Sequence, residues 1–207
     1  MRASIKRLTN KRHEVSCHYL ISRKGKVYQM VDDNKIAWHA GKSKWDFFKD
    51  LNDKSIGIEL ENKGHKFGYQ KYPDKQINAL IKICIKLKKK YNIKNRLILG
   101  HSDIAPLRKL DPGEKFPWHK LNKRKIGILC NSSKQSHVPI NFKKEDLRKI
   151  FFRNLHKIGY RYFSKFKSSK TDKLVIKSFQ RRFRQVKVNG LIDLECLRIS
   201  EYLVKNR

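Results

Sequence analysis

Residues 101–118 hold an imidazole, a guanidinium, amines and carboxylates in one short segment, HSDIAPLRKLDPGEKFPW. Pro106, Pro112 and Pro117 each remove a backbone donor and restrict the chain, which disfavours a helix or a central strand here. We therefore expect an irregular loop that follows a short apolar strand over residues 96–101. Loops at strand ends commonly carry binding and catalytic residues, so this segment is the first candidate for a functional site.

His101 and Asp111 lie in this loop with nine residues between them. An imidazole nitrogen and a carboxylate oxygen both suit Zn²⁺, whose catalytic sites combine three protein ligands with one open position. Lys109 lies near Asp111, where an amine can polarise a carbonyl group or stabilise an oxyanion. The spacing is equally compatible with ordinary surface residues, because lysine is abundant in this chain and two ligands do not define a metal site.

A second group of polar residues follows a strand pattern. Residues 55–62 (SIGIELEN) alternate apolar and polar side chains, which predicts a strand with Glu59 and Glu61 on one face. A carboxylate on a strand that faces a groove can act as a general base, whereas the simpler interpretation is two solvated acids. Trp38 and His39, in the segment AWHAGKSKW, can stack on a sugar or a peptide, or can cover the core.

Periodicity predicts the elements that position these residues. Residues 15–21 and 26–31 indicate two strands joined by a turn at Gly25, and Pro73 opens an amphipathic helix. Strands combined with a helix predict a mixed α/β domain over residues 1–122, with a central sheet flanked by helices.

The rest of the chain indicates a different architecture. Residues 123–140 lack clear periodicity and are interpreted as a linker, and residues 141–207 as a small all-α domain. Three short helices are expected in that domain, at residues 143–157, 171–183 and 193–204. Leu174 is assigned to the core of the second helix, and Asp193 is assigned as the N-cap of the third.

The chain is strongly basic, since 51 Lys and Arg residues oppose 18 Asp and Glu residues for a net charge of +33. Such a charge suits a polyanionic partner, such as nucleic acid, an anionic membrane or an acidic cell-wall polymer. It is equally compatible with a lysine-rich solvated surface. The chain carries no recognisable nucleic-acid-binding motif, so we expect no specific nucleic-acid partner.

Cysteine usage and hydropathy bear on the location of the protein. The four cysteines show no C-x-x-C spacing, which predicts buried free thiols in a reducing compartment. No run of about 18 apolar residues predicts a membrane span, and the basic N-terminus lacks the apolar region of a signal peptide. We therefore expect a cytoplasmic protein, or a periplasmic one if the natural chain begins upstream with an export signal.

Four segments in this order resemble one family. VSCHYLI, AWHAGKSKW, LNDKSIGIELEN and LILGHSDIAPLRKLDPGEKFPW closely resemble the AmpD-type (type 2) N-acetylmuramoyl-L-alanine amidases over residues 8–122. Residues 141–207, with SFQRRFRQVKVNGLID, resemble more loosely the three-helix peptidoglycan-binding module that often follows in this family.

The resemblance implies a zinc hydrolase that cuts the amide bond between the lactyl group of N-acetylmuramic acid and L-alanine, in peptidoglycan or in muropeptides. By motif, His101 and Asp111 would be zinc ligands. Glu59 would be the general base that takes a proton from the attacking water, and Lys109 would stabilise the oxyanion.

The resemblance also implies a substrate groove. Trp38 and His39 would line it, and Asn62 would be a further substrate-binding residue. The partner is then the peptidoglycan or muropeptide substrate, and a monomer is expected.

The chain departs from the family pattern at the third zinc ligand, a histidine that closes an apolar strand upstream of the first segment. Only fourteen residues precede Val15, and none of them occupies that position. His13 belongs to a helix–strand connection by this alignment, and His18 matches a family histidine that is not a ligand. Three explanations are open: an internal start at Met1, which the intact motifs favour, a degenerate inactive fragment, or a non-catalytic peptidoglycan-binding relative.

Overall fold

The structure is a computed structural model and describes residues 15–130, 144–164 and 167–206 of the 207-residue chain. The N-terminal segment with His13, and residues 131–140 of the expected linker, lie outside this described part. Contacts divide the described residues into two compact units. The first comprises the residues up to Ser43, Lys49–Lys94 and Lys115–Ile126, and the second comprises Lys44–Phe48, Asn95–Glu114 and the residues from Gly127 onward.

Short strands precede most of the helices along the chain. The strands are β1 (Tyr19–Ile21), β2 (Val27–Gln29), β3 (Lys44–Trp45), β4 (Phe48–Lys49) and β5 (Ile58–Leu60). The helices are α1 (Asp74–Tyr91), α2 (His101–Ile104), α3 (Trp118–Asn122), α4 (Lys144–Ile158), α5 (Asp172–Phe183) and α6 (Leu194–Lys205). None of the helices within the described ranges is long and apolar enough to cross a membrane.

A three-stranded mixed sheet organises the first unit. β1 is the central strand, antiparallel to β2 and parallel to β5, and its three residues are buried. Leu20 of β1 lies opposite Tyr28 on one side and Glu59 on the other. This mixed sheet, together with the helices, confirms the predicted α/β fold class.

α1 packs on this sheet through the apolar stripe that the sequence predicted. Its buried residues include Ile77, Leu80, Cys84 and Leu87, and Pro73 stands at its N-cap. The Gln76 amide, fully buried, donates hydrogen bonds to the carbonyl oxygens of Ile21 (2.9 Å) and Glu61 (3.1 Å). The start of α1 is thereby tied to the ends of both parallel strands.

The predicted strand over residues 96–101 is wrong. A 3₁₀ turn, Asn95–Leu97, and the helix α2 occupy this region instead. The Ile98 N–H donates to the carbonyl of Asn95 (3.2 Å), and the Ile98 carbonyl accepts from the Arg182 guanidinium (2.8 Å). Both backbone groups of Ile98 are therefore used outside any sheet ladder.

The segment 101–118 is also more helical than predicted. α2 begins at His101 and ends before Pro106, and α3 begins directly after Pro117. Pro106 and Pro117 therefore bound the helices, and Pro112 lies between them, so no proline interrupts a helix, which is the placement that a missing N–H group permits.

The second unit contains the three C-terminal helices, whose bounds lie within one residue of the predicted ones. Its largest fully buried side chains are Trp45, Phe151, Phe152, Tyr160, Phe179, Leu155 and Leu197. Leu174 is 39% exposed and was wrongly assigned to the core, where Val175 packs instead. Asp193 caps α6 as predicted, because its carboxylate accepts from the Cys196 N–H at 3.0 Å.

The four cysteines are free, as predicted, and three of them are buried; Cys130 is half-buried. The predicted domain boundaries at residues 122 and 141 stay a prediction. The contacts place Asn95–Glu114, which carries the His101 loop, in the same compact unit as the three C-terminal helices.

Candidate functional site

His101 and Asp111 lie side by side in the second unit. The His101 Nδ1 atom is 3.1 Å from the Asp111 Oδ2 atom, and the His101 side chain is 13% exposed. Partial withdrawal from solvent raises the pKa of Asp111, but the hydrogen bond and charge of His101 and the charge of Lys109 lower it more. The net pKa of Asp111 is below its ordinary value, so this carboxylate is an anion at neutral pH.

Backbone and packing contacts join the two ends of the loop that carries His101 and Asp111. The Ser102 N–H donates to the Asp111 carbonyl at 2.8 Å, next to both candidate ligands. Pro112 packs on Gly100 so closely that a Cβ atom there would stand 2.7 Å from the proline Cδ. The Gly100 N–H donates to the Asp103 carboxylate at 2.7 Å. Gly100, Ser102 and Pro112 therefore hold His101 and Asp111 adjacent.

The chemistry of this pair fits zinc at two of its positions. An imidazole nitrogen and a carboxylate oxygen are both common Zn²⁺ ligands, and here they lie at one point of the surface. Within the part of the chain that the structure describes, no group of three His, Cys, Asp or Glu side chains could hold a metal ion. His101 and Asp111 would thus supply two of the three protein ligands that a catalytic zinc site uses.

Glu59 belongs to the first unit, on the edge strand β5 of the mixed sheet, and its side chain is half-buried. Burial, followed by the charge of Glu59, raises the pKa of the Cys17 thiol to about 12. The Glu61 carboxylate has a different neighbour, since it accepts a hydrogen bond from the Arg23 N–H at 3.0 Å. Glu61 therefore links the end of β5 to the turn that follows β1.

His18 serves the core. It is 1% exposed, its Nδ1 atom accepts from the Gly57 N–H (3.1 Å), and its Nε2 atom donates to the Lys35 carbonyl (3.0 Å). Both ring nitrogens are engaged, which agrees with the expectation that His18 is not a metal ligand.

His39 lies next to His18 in an edge-to-face contact, with ring centroids 5.5 Å apart. Its Nε2 atom donates to the Ser55 carbonyl at 3.2 Å. A Cβ atom at Gly57 would stand 2.2 Å from the His39 ring, so glycine is required for the ring to reach this position. The imidazole plane is therefore set by β5 and the residues that precede it.

Trp38 and Asn62 differ in their surroundings. Trp38 is 52% exposed, and its backbone N–H is held by the Ser16 hydroxyl at 2.8 Å. The Asn62 amide donates to the Gln70 carbonyl at 2.9 Å and accepts from the Gly64 N–H at 3.1 Å, so it closes the loop that follows β5. The substrate contacts assigned to these two residues stay predictions.

The predicted site residues divide between the units. His101, Lys109 and Asp111 belong to the second, and four residues belong to the first: Trp38, His39, Glu59 and Asn62. Sequence reasoning missed Asp103 of α2 and the residues around it, namely Tyr160, Ser178 and Arg182. The available signal was weak, because an arginine in a chain with 51 Lys and Arg residues is expected to be solvated.

Comparison with known proteins agrees with these features. The family model of N-acetylmuramoyl-L-alanine amidase matches residues 2–114. The chain is 33% identical to the N-acetylmuramoyl-L-alanine amidase AmiD of Escherichia coli over 98% of its own length and 78% of that protein. It is 41% identical to the 1,6-anhydro-N-acetylmuramyl-L-alanine amidase AmpD of Haemophilus influenzae, over 51% of this chain and 56% of that protein.

A solved structure extends this similarity to three dimensions. E. coli AmiD in complex with anhydro-N-acetylmuramic acid-L-Ala-D-γ-Glu-L-Lys aligns with a TM-score of 0.84 at 32% identity, over 99% of this chain and 84% of that one. The resemblance seen in the sequence motifs, and the assignment to a class of hydrolases, are both confirmed. The chain belongs to the N-acetylmuramoyl-L-alanine amidase family.

Proposed function

We propose that this chain hydrolyses the amide bond between the lactyl group of N-acetylmuramic acid and L-alanine in peptidoglycan or muropeptides, with zinc as its cofactor. Family membership and the similarity to AmiD, whose structure holds an anhydromuramyl peptide, support a peptidoglycan amidase. The observation that carries the zinc assignment is the His101–Asp111 pair, two ligand atoms 3.1 Å apart on a clasped loop. No specific observation favours a non-catalytic peptidoglycan-binding protein.

His101 and Asp111 would hold the zinc ion. Bound zinc supplies Lewis acidity and lowers the pKa of water at its open position. The lowered pKa of Asp111 keeps that carboxylate deprotonated, which is the form that binds metal.

Glu59 and Lys109 would act on the reacting groups. Glu59 is proposed to take the proton of the attacking water and to return it to the leaving amine of L-alanine. Lys109 is proposed to stabilise the negative charge that develops on the scissile carbonyl oxygen. Its ammonium already acts on the nearby Asp111 carboxylate.

Trp38 and His39 would orient the substrate. The exposed ring of Trp38 offers an apolar face to a sugar or a peptide. His39 is held by Ser55 and Gly57, so it would present its ring in one orientation. Both roles rest on the family resemblance and on these contacts.

The test is metal removal and return. After chelation, the protein should no longer release L-Ala-D-γ-Glu-L-Lys from the anhydromuramyl peptide, as followed by chromatography, and added Zn²⁺ should restore release. The variants His101→Ala and Asp111→Asn should not be restored at the same zinc concentration.

His119→Ala is the matched control, because His119 is an exposed histidine outside the loop and should respond to zinc as the unmodified protein does. Full activity after complete chelation would contradict the zinc assignment. Binding to cell-wall sacculi without any release, at saturating zinc, would support the non-catalytic alternative.

A further inference from the structure

A buried charge, Asp103, lies two residues beyond the candidate ligand His101. The side chains of Asp103 and Arg182 are 1% and 3% exposed, and their Oδ2 and Nη1 atoms are 2.6 Å apart. The Tyr160 hydroxyl donates to the other oxygen of Asp103 at 2.5 Å. Arg182 and Tyr160, from the C-terminal part of the second unit, therefore enclose Asp103 together with the Gly100 N–H.

Residues from the C-terminal part of the second unit also bond to the backbone on both sides of His101. The second guanidinium nitrogen of Arg182 donates to the Ile98 carbonyl at 2.8 Å, three residues before the histidine. The Ser178 hydroxyl donates to the Ser102 carbonyl at 2.6 Å, directly after it.

A contact at the far end of the loop adds to this arrangement. The Arg181 guanidinium is 3.8 Å from the Glu114 carboxylate, three residues beyond Asp111. One helix, α5, therefore contacts the chain before His101, directly after it and beyond Asp111.

Stability alone does not account for an ion pair in this position. Burying two charges away from water carries a large desolvation cost, and well-packed apolar residues of similar volume often give an equally stable fold. The guanidinium and the carboxylate do offer directional hydrogen bonds to particular atoms, which an apolar contact lacks. Their benefit here is the placement of residues 98–103, and His101 lies in the middle of that stretch.

We propose that Arg182, Tyr160 and Ser178 are positioning residues that hold the turn containing His101, so that the C-terminal helices complete the geometry of the His101–Asp111 pair. They act through Asp103 and through the carbonyls of Ile98 and Ser102. The positioning of the pair stands on these contacts alone. Its consequence for zinc rests on the proposed function.

The first experiment uses metal-free protein. The Ser102 N–H donates to the Asp111 carbonyl, so its hydrogen exchange, measured by NMR, reports directly on whether the two ligands stay adjacent. Tyr160→Phe and Ser178→Ala each remove one hydroxyl. In both variants we expect the exchange rate of the Ser102 N–H to increase at least roughly tenfold more than the exchange rates of the slowest amides of α1. Arg182→Met should show the largest rise.

Arg184→Met is the matched control. Arg184 is also buried in the second unit, at 1% exposure, and pairs with Asp193 and Glu195 at the start of α6. This variant should lose global stability, as Arg182→Met does. Its Ser102 exchange rate should rise only in proportion to that loss of stability. Equal selective acceleration in both arginine variants, or none in Tyr160→Phe and Ser178→Ala, would overturn the positioning role.

The second experiment measures zinc affinity by competition with a chromophoric chelator. Partners that orient ligands commonly contribute roughly 10–100-fold in affinity, so Tyr160→Phe, Ser178→Ala and Arg182→Met should bind zinc more weakly by such a factor. Arg184→Met should bind as the unmodified protein does. Accelerated Ser102 exchange with unchanged zinc affinity would refute the claim that this positioning completes the ligand geometry of the pair.

The outcome for the unmodified protein separates the two proposals. If it binds no zinc while His101→Ala behaves identically, the zinc assignment under the proposed function fails. Ser102 exchange in the metal-free variants then still decides whether Arg182, Tyr160 and Ser178 hold the loop.

Discussion

Glu59 and Glu61 stand two residues apart at the end of one strand, and the fold surrounds their carboxylates differently. Glu61 accepts from the Arg23 N–H and so ties two chain segments together. Glu59 lies near Cys17, and its charge contributes to the raised thiol pKa. Because Glu61 has this structural bond to Arg23, we propose Glu59, the residue that the family resemblance implies, as the group that exchanges a proton with substrate.

Glu59→Gln tests this assignment. Loss of a general base typically lowers the rate by roughly 10²–10⁴-fold, so kcat for release of the peptide from the anhydromuramyl substrate should fall by that order. Zinc content should be unchanged, because Glu59 is not one of the proposed ligands. The measurement is peptide release by chromatography with zinc-saturated protein.

Glu61→Gln provides the comparison on the same strand. Its amide oxygen can still accept from the Arg23 N–H, so activity should stay near that of the unmodified protein. A Glu59→Gln variant with unaltered kcat, or a Glu61→Gln variant with the larger loss, would refute the assignment.

The position of the His39 ring depends on the absence of a side chain at Gly57. A methyl group at Gly57 would meet the His39 ring at 2.2 Å, so Gly57→Ala must displace the imidazole or the strand. Overpacking of this kind costs about 1–3 kcal/mol of folding free energy, which chemical denaturation would measure. If His39 orients substrate, KM should rise as well.

Gly68→Asn is a suitable control for this substitution. Gly68 has open space around it, and its φ of +85° and ψ of +70° lie in the left-handed region, which asparagine tolerates better than most other residues. Its stability and KM should change little. Equal effects at the two glycines would show that the His39 contact is not the cause.

At the scale of elements, the N-terminus of α6 combines a cap with a charge pair. Asp193 accepts from the Cys196 N–H, and its carboxylate bonds to the buried Arg184 guanidinium, with Lys187 and Glu195 as further charged neighbours. Partial burial raises the pKa of Asp193, but the Arg184 and Cys196 hydrogen bonds outweigh it, so the net pKa is lowered. The folded state therefore stabilises the deprotonated form of Asp193 relative to its protonated form.

This shift predicts an acid dependence of stability. A carboxyl group with a lowered pKa in the folded state stabilises above its unfolded pKa of about 3.9, and the contribution disappears as pH falls through the folded pKa. Asn caps helices about as well as Asp, so Asp193→Asn removes chiefly the charge. At pH 7 the variant should be less stable by roughly 1–3 kcal/mol, because Arg184 loses its main partner.

Denaturant unfolding between pH 7 and pH 2.5 measures this difference. The gap between Asp193→Asn and the unmodified protein should narrow below about pH 4. Glu195→Gln, whose oxygen lies farther from Arg184 at 3.5 Å, should show a smaller gap throughout. A gap that stays constant down to pH 2.5 would contradict the coupling.

At the scale of the whole molecule, the net charge of +33 is the dominant feature. Peptidoglycan carries carboxylates, so a basic protein should be attracted to it over distances set by the ionic strength. The Debye length falls from about 10 Å at 0.1 M salt to about 3 Å at 1 M, which screens that attraction.

Association with cell-wall sacculi should therefore weaken by roughly tenfold or more between 0.05 M and 0.5 M NaCl, as measured by co-sedimentation. The kcat for a small anhydromuramyl peptide at saturation serves as the control and should change far less, since it does not depend on long-range attraction. Co-sedimentation that is insensitive to salt would indicate that the charge is only a solvated surface.

The sequence by itself determined the family, the types of residue at the site and most of the helices. Helical periodicity is encoded within a window of a few turns, which is why the start of α1 and the bounds of α4–α6 were predicted closely. The motif around His101 and Asp111 is likewise contiguous, so its residues could be named before any fold was known.

Only the tertiary structure decided how these residues meet. Residues predicted as a strand over 96–101 instead include a 3₁₀ turn, and Arg182, far along the chain, bonds to the Ile98 carbonyl. Asp103 and Arg182, 79 positions apart, become a buried pair, although each looks like a surface charge in the sequence. Such a pair depends on packing that removes both groups from water, and no local pattern in the sequence records that desolvation.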